Sequence, residues 1–425
     1  MNIGIIGCYH QGLVAAVCHG LKGNNVFLYD SNKKLRNNLQ KNFLPIFEPG
    51  LKKLFVKFHK QKIIKVCNGL DEFCKYVDAI FILHDTPINS KDESDLKIFL
   101  SDINAIIKQK KIKAKNIIIG SQIPATTSIQ IFKKIKLKHK NIGLAYIPEN
   151  LRLGSAIFRY LNPPLPVIGT NSNKTYYDVK KIMSVFTKNW TRTSLSSAEM
   201  LKHILNSFLG LKIVFINEIN FLSKKIGIKF EDISNLIALE PRLSALNDVK
   251  PGLAFAGGTL ARDLKTLKKI SLKSKVNLKL INSIYESNIK YSSLIMKKII
   301  SLVNLHKVKN IGIIGLSYKA DTDTLRRSFS VDLINKFNAK KNKIRVFDIN
   351  FDQKKLNDNL VKAELINSFT KFYNSCKFIV LMNNKKDYLK LLNKSIKKNK
   401  NEKIIFDTTN LLHKYKYKNL TIYNI

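Results

Sequence analysis

Three places in this chain hold residues whose types and spacing suit chemistry. The stretch Pro251–Asp263 reads P-G-L-A-F-A-G-G-T-L-A-R-D: small, glycine-rich and barely charged, in a chain crowded with lysine. A flexible apolar loop of this kind, in mid-chain, suits a reacting centre, and what stands at Thr259 is its main question. Glu149 follows Pro148 at the end of an apolar run, where a carboxylate serves as acid or base, or is simply an ordinary loop carboxylate. Lys202 and Asn206 are four residues apart, so on a helix they share one face. Facing a crevice they suit the holding of a hydroxyl or an oxyanion; facing water they are an ordinary solvated surface.

The N-terminus carries a ligand-binding pattern besides these three. Residues 2–7, Asn-Ile-Gly-Ile-Ile-Gly, read as a buried parallel strand, Gly12–Leu21 as the helix after it, and Asn25–Tyr29 as a second strand ending in Asp30. Gly7 permits the tight turn and Gly12 the close helix–strand approach, but Tyr9 replaces the middle glycine of a dinucleotide fingerprint. Asp30 stands 18 residues past Gly12, where a ribose-binding acid favouring NAD belongs. A βαβ unit without a dinucleotide is the alternative.

Elements must position these groups. Strands are expected at Ala79–Leu83, Asn116–Gly120, Ile142–Tyr146 and Pro166–Gly169. The first three end in Asp85-Thr86-Pro87, Ser121-Gln122-Ile123-Pro124 and Pro148-Glu149-Asn150, and ligands of doubly wound sheets bind at such carboxyl ends. One long helix is expected from Ser196 to about Lys225, capped by Ser196 or Ser197, with Glu199 in its first turn. Further helices are expected over Phe230–Ile237 and much of Asp263–Ile300. A second opening follows, with Ile311–Leu316, a strand Lys343–Phe347 ending in Asp348, and strands at Lys377–Leu381 and Lys403–Phe406.

The bulk properties narrow the class. A chain of 425 residues holds two or three domains. Hydrophobic content of 45% indicates a globular protein, and no run of 18 apolar residues indicates a membrane span. The N-terminal apolar stretch lacks a basic leader and is interrupted by His10 and Gln11, so it reads as a strand and not as an export signal. The net charge of +44 is spread over every segment, which fits a general lysine bias better than a nucleic-acid stripe, though it attracts phosphorylated ligands. Cys8, Cys18, Cys67, Cys74 and Cys376 form no C-x-x-C pair, so no metal site or disulfide framework is expected, and a cytoplasmic location fits.

Several stretches together resemble the UDP-glucose/GDP-mannose dehydrogenases, nucleotide-sugar 6-dehydrogenases. Phe43–Leu51 is similar to the family's P-I-x-E-P-G-L segment, and Asp85-Thr86-Pro87 to the end of its V-x-T-P strand. Pro148–Gly154 resembles P-E-F-L-x-E-G, and Ser197–Asn206 with Phe215–Glu218 resembles the central helix. Tyr318-Lys319 with Thr322–Arg326 resembles F-K-x-x-T-D-D-x-R. The resemblance runs over more than 300 residues in the family's order.

The resemblance implies an α/β fold of two Rossmann-like doubly wound domains joined by a central helical domain. It divides the chain into residues 1–195 (NAD-binding), 196–300 (central, dimerising, with the active-site loop) and 301–425 (binding the UDP part). Gly7, Gly12, Asp30, Thr86, Ser121 and Arg326 are then the cofactor-binding residues. Glu149, Lys202, Asn206, Asp263 and Thr259 are the catalytic set, and Arg242 (reaching across a homodimer), Gly257 and Lys319 hold the nucleotide sugar. The family reaction oxidises a C6 alcohol twice, through a cysteine thioester. The loop resembles P-G-F-G-F-G-G-S-C-F-P-K-D, which places Thr259 at the cysteine, Arg262 at the lysine and Asp263 at the final aspartate. Leu153 stands at a glutamate, and Thr409 stands where arginine is expected in Asp407-Thr408-Thr409-Asn410. The expected function is NAD-dependent oxidation of a nucleotide sugar, UDP-glucose 6-dehydrogenase-like, with a modified second step. The alternative is a catalytically silent protein that binds nucleotide sugar or NAD.

Overall fold

The computed structural model describes residues 1–87, 94–237, 239–246, 250–317, 325, 327–340, 342–399, 401–412 and 419–425. The chain divides into two units, Met1–Leu205 and Asn206–Ile425.

The first unit is built on a sheet of eight strands. These are β1 (Asn2–Ile6), β2 (Asn25–Tyr29), β3 (Ile64–Val66), β4 (Ala79–Ile82), β5 (Asn116–Ile119), β6 (Gly143–Tyr146), β7 (Val167–Gly169) and β8 (Thr191–Thr193). Their order is β3-β2-β1-β4-β5-β6-β7-β8, parallel throughout except between β6 and β7. Every residue of β4, β5 and β6 is buried, as apolar runs covered on both faces require. Successive side chains of β1 serve opposite layers: Ile3 and Ile5 pack beneath the helix His10–Leu21, and Ile6 packs with Phe73 and Phe99 on the other face. The expected strands are thus present with ends trimmed by a residue or so; β3 and β8 are short strands that no apolar pattern announced.

The helix Leu195–Lys225 begins earlier than the expected cap. Ser194 Oγ accepts a hydrogen bond from the Ser197 amide at 3.1 Å, so Ser194, not Ser196 or Ser197, closes its first turn. Glu199 does not serve its own helix. Its carboxylate accepts from the amides of Thr126 (2.6 Å) and Ser128 (2.7 Å), and so caps the helix Thr127–Lys138. Part of Leu195–Lys225 has a mean hydropathy of 1.3, long and apolar enough by composition to cross a membrane. Its first turns nevertheless carry Glu199, Lys202 and His203, all buried in the first unit, with His203 Nε2 3.0 Å from the Ile123 carbonyl.

The second unit repeats the opening of the first. Asn-Ile-Gly-Ile-Ile-Gly occurs at residues 2–7 and again at 310–315. Its strands are β9 (Asn310–Ile314), β10 (Lys343–Phe347), β11 (Glu364–Leu365), β12 (Phe378–Leu381), β13 (Lys403–Asp407) and β14 (Leu420–Asn424). All pair in parallel in the order β11-β10-β9-β12-β13-β14, the same winding as the first six strands of the first sheet. Before β9 come the helices Phe230–Ile237, Thr259–Lys273 and Lys279–Leu305. Val214 of the helix Leu195–Lys225 packs with Leu264 and Ile284 from the last two of these. Helix Thr259–Lys273 starts four residues earlier than expected, so the glycine-rich loop ends at Gly258 and Thr259 is the first helical residue.

Candidate active site

At the carboxyl end of β1 the chain makes the turn a dinucleotide needs. Gly7 has φ +94°, and a Cβ there would lie 2.7 Å from the His84 amide nitrogen. A Cβ on Gly12 would lie 1.8 Å from the Gly7 carbonyl oxygen, so the helix His10–Leu21 approaches β1 only because residue 12 has no side chain. Asp30 is buried at the end of β2, its carboxylate accepting from the amides of Cys8 (2.8 Å) and Asn32 (2.9 Å). The second unit repeats this arrangement, with Asp348 accepting from Leu316 (2.7 Å) and Asn350 (2.9 Å). In both, the acid braces the glycine turn and keeps lone pairs for a further donor. Thr86 Oγ1 donates to the Gln122 carbonyl at 3.0 Å, and Ser121 Oγ to the Ile82 carbonyl at 3.2 Å, tying the ends of β4 and β5 together. These features fit a dinucleotide at the switch point between β1 and β4. Two neighbours are unusual there. Tyr9 is exposed at the start of the helix, and Asp85 places Oδ2 2.9 Å from the His10 amide nitrogen.

Glu48, from the Pro-Ile-Phe-Glu-Pro-Gly-Leu segment, was not among the expected site residues. It is buried, with Oε2 3.0 Å from His10 Nε2, and accepts from the amides of Gly154 (3.0 Å) and Ala156 (2.9 Å). Burial pushes its carboxyl up, but the His10 contact and the two amides outweigh that and leave it below the usual glutamate value. It fixes the loop that carries Glu149. Glu149 accepts from the Leu151 amide, and its Oε2 lies 3.8 Å from Lys202 Nζ. Lys202 is buried, so the solvated-face reading of this lysine does not hold.

In the second unit, Asn206 and Asp263 meet. Asn206 Nδ2 donates to Asp263 Oδ2 at 2.6 Å, and Asp263 is fully buried. The glycine-rich loop is held rather than free. Asn288 both accepts from the Phe255 amide (2.9 Å) and donates to its carbonyl (3.0 Å), and Asn217 Oδ1 accepts from the Gly252 amide at 3.0 Å. Asn410 adds a bond to the Pro251 carbonyl at 3.3 Å. Asn217 and Asn410 lay inside the quoted motifs without a role; Asn288 carried no sequence signal. Gly257, φ +76°, turns the chain into the helix. Thr259 is exposed at its start, and among the described residues no side chain hydrogen-bonds its hydroxyl.

The five thiols lie outside the glycine-rich loop. All are free and buried. Burial pushes Cys18, Cys67 and Cys74 up to about 12 and raises Cys8 and Cys376 as well, which disfavours their thiolates.

Beside the loop the second unit has a hollow of about 670 Å³, within the range of small-molecule sites. Gly257, Asn288, Ser292, Arg327, Asn335 and Lys336 are among its lining residues. The lining carries two cations that suit phosphate oxygens, Arg327 and Lys336, together with Asp332, whose charge acts on Arg327. Arg327 adjoins the quoted Thr322–Arg326 segment; Lys336 had no sequence signal. Arg242 is exposed and pairs with Glu240 at 2.8 Å. Lys319 and Arg326 lie outside the described residues.

The sequence matches the UDP-glucose/GDP-mannose dehydrogenase family three times in order: the NAD binding domain over residues 1–187, the central domain over 196–290 and the UDP binding domain over 312–414. The UDP-glucose 6-dehydrogenase of Rickettsia bellii is 33% identical over 353 residues, 82% of this chain and 81% of that one. A UDP-glucose 6-dehydrogenase of Bacillus subtilis is 29% identical over 336 residues, 78% of this chain and 72% of that one. Among solved structures, the UDP-D-ManNAc dehydrogenase of Pyrococcus horikoshii superposes with a TM-score of 0.85 at 21% identity, covering 100% of this chain and 99% of that one.

Proposed function

The chain belongs to the UDP-glucose/GDP-mannose dehydrogenase family of NAD-dependent oxidoreductases, and from that membership we propose that it oxidises the C6 alcohol of a nucleotide sugar, UDP-glucose or a close relative, by two electrons to the aldehyde. The observation that carries this reading is the buried Asn206–Asp263 pair beside a pinned glycine loop that presents Thr259 and no thiol.

Each residue has a stated task. Gly7, Gly12, Asp30, Thr86 and Ser121, with Arg326, form the cofactor end. Bound NAD supplies a hydride acceptor there. Glu149 takes the hydroxyl proton directly or through water, and Lys202 and Asn206, one turn apart on their helix, hold the sugar oxygen. Asp263 orients Asn206. Gly257, Arg327 and Lys336, with Lys319, receive the nucleotide part and its phosphates. The threonine hydroxyl has no base at hand among the described residues and forms no thioester, so the second oxidation lacks its covalent intermediate.

The divisions 1–195, 196–300 and 301–425 carry cofactor binding, dimerisation and nucleotide binding. A homodimer in the cytoplasm is part of this proposal. Ile204, Phe208, Phe215 and Leu222 are exposed along one helix at spacings of four and seven, an apolar stripe suited to a second copy. The exposed Arg242 suits a reach across that dimer to the substrate phosphates.

The test is to supply UDP-glucose, GDP-mannose and UDP-N-acetylmannosamine with NAD and to measure NADH formed per sugar together with the product. One NADH and an aldehyde support the reading. Two NADH and a uronate show that a cysteine is dispensable, and no turnover with any nucleotide sugar sinks it. A silent binding protein is the second reading, favoured by Tyr9 and Asp85 at the helix start; a calorimetric titration that finds NAD bound in the absence of any turnover supports it.

A further inference from the structure

The turn after β1 is built to receive a dinucleotide, yet one of its donors is already engaged. The first amides of a helix carry partial positive charge and are where the phosphates of such a ligand sit. Tyr9 stands at the cap position of the helix His10–Leu21 without a side-chain cap. The missing cap is supplied from the next strand: Asp85, just past the end of β4, places its carboxylate Oδ2 2.9 Å from the His10 amide nitrogen. Asp85 is exposed as a residue, while its carboxyl is turned inward onto the helix start, where burial raises it and the His10 and Gln11 amides lower it.

We propose that Asp85 is an internal competitor for the phosphate position of the cofactor site and sets the affinity of this chain for NAD. A carboxylate and a pyrophosphate cannot share the same helix amides, because both are anions and each amide has one hydrogen to donate. Cofactor entry therefore requires Asp85 to leave its amide and its side chain to turn toward water. The His10 ring, held by Glu48 at 3.0 Å, offsets the charge of Asp85 only in part, and Glu149 opposes it. The exposed Tyr9 ring stands where a glycine would leave the backbone open, so the same corner is narrowed by bulk as well as by charge. The inference rests on the NAD-dependent reading of the first unit.

The experiment is calorimetric titration of the full chain, wild type, Asp85→Asn and Asp85→Gly, with NAD, ADP-ribose and adenosine. Asp85→Asn keeps an oxygen acceptor for the His10 amide and removes the charge, so it guards against a variant that simply loses its helix cap. Asp85→Gly is expected to tighten NAD and ADP-ribose by about tenfold or more, the scale of one charge-assisted hydrogen bond. Asp85→Asn should give a smaller gain of the same sign. Adenosine, which has no phosphate, should bind all three proteins alike. An equal gain for adenosine, no gain at all, or weaker NAD binding in both variants overturns the proposal. If wild type binds NAD and the variants show no gain, the competitor idea fails while the dehydrogenase reading stands. If none of the three proteins binds NAD, the competitor idea also fails, and the separate assay of NADH per sugar decides the enzyme reading.

Discussion

Asn206 and Asp263, 57 residues apart in sequence, are joined by a 2.6 Å hydrogen bond in the interior of the second unit. The asparagine amide donates to this fully buried acid in the first turns of the helix Thr259–Lys273, where an acceptor left without a donor is costly. Since the same asparagine is proposed to hold the sugar oxygen, the pair links the stability of the loop helix to the chemistry.

Removing the amide exposes that link. Asn206→Ala is expected to destabilise the second unit by about 1–3 kcal/mol, because a buried acceptor loses a donor. Asn206→Asp sets two carboxylates against each other and should cost more. Urea unfolding followed by circular dichroism measures both. Turnover with the nucleotide sugar should fall by at least about tenfold in Asn206→Ala even under conditions where the protein is folded.

On the proposed reading, Thr259→Cys supplies a nucleophile at the start of the loop helix. Position 259 is the first residue of its helix and is exposed, and helix N-termini lower thiol pKa values. The variant should react faster with iodoacetamide than the five native thiols, whose thiolates burial disfavours. NADH per sugar should rise from one toward two, with uronate as product. An unchanged ratio with a reactive thiol in place would show that loop position, not the lost sulfur, limits the second step.

Glu48→Gln tests the brace behind Glu149. Burial raises this carboxyl, but the His10 contact and the amides of Ala156 and Gly154 leave it lower folded than its ordinary value of 4.5. A depressed carboxylate contributes stability that is present above the unfolded value and lost as pH falls through the folded one. The variant should be about 1–2 kcal/mol less stable than wild type at pH 7. Thermal melts at decreasing pH should show the gap closing below about pH 4.5.

His19 sets a second acid limit. Its ring is fully buried against Phe81, Tyr160 and Phe186, and burial lowers it from 6.5 to about 3. Below pH 6.5 the unfolded chain takes a proton that the folded chain refuses. Stability of the first unit should therefore fall by about 1.4 kcal/mol per pH unit from pH 6.5 toward pH 3 on account of this group alone. Proton NMR should show the His19 ring untitrated at pH 5; a ring that titrates near 6.5 refutes the assignment.

Much of the frame is legible in the chain itself. Apolar runs such as Ala79–Ile82 and Asn116–Ile119 are buried on both sides, and parallel strands covered by helices leave that trace whatever else surrounds them. Gly7, Gly12 and Asp30 announce the turn because the turn admits few other residues. The helix over residues 195–225 was visible in its periodicity, but its cap was misplaced: Ser194, Ser196 and Ser197 all suit a cap, and only the backbone geometry selects among them. The glycine-rich loop read as flexible because its composition is permissive, whereas Asn217, Asn288 and Asn410 hold it from distant segments.

By itself the sequence determined the two strand–glycine–helix halves, the family, and the absence of a cysteine at the loop, since each depends on local pattern or on the identity of a residue. Tertiary structure alone decided which polar groups meet. It turned Glu199 into the cap of another helix, seated Glu48 behind Glu149, joined Asn206 to Asp263 and set Asp85 on the amide of His10. The physical reason is range: a side-chain hydrogen bond acts over about 3 Å, and residues many tens of positions apart come that close only once the sheets and helices between them have packed.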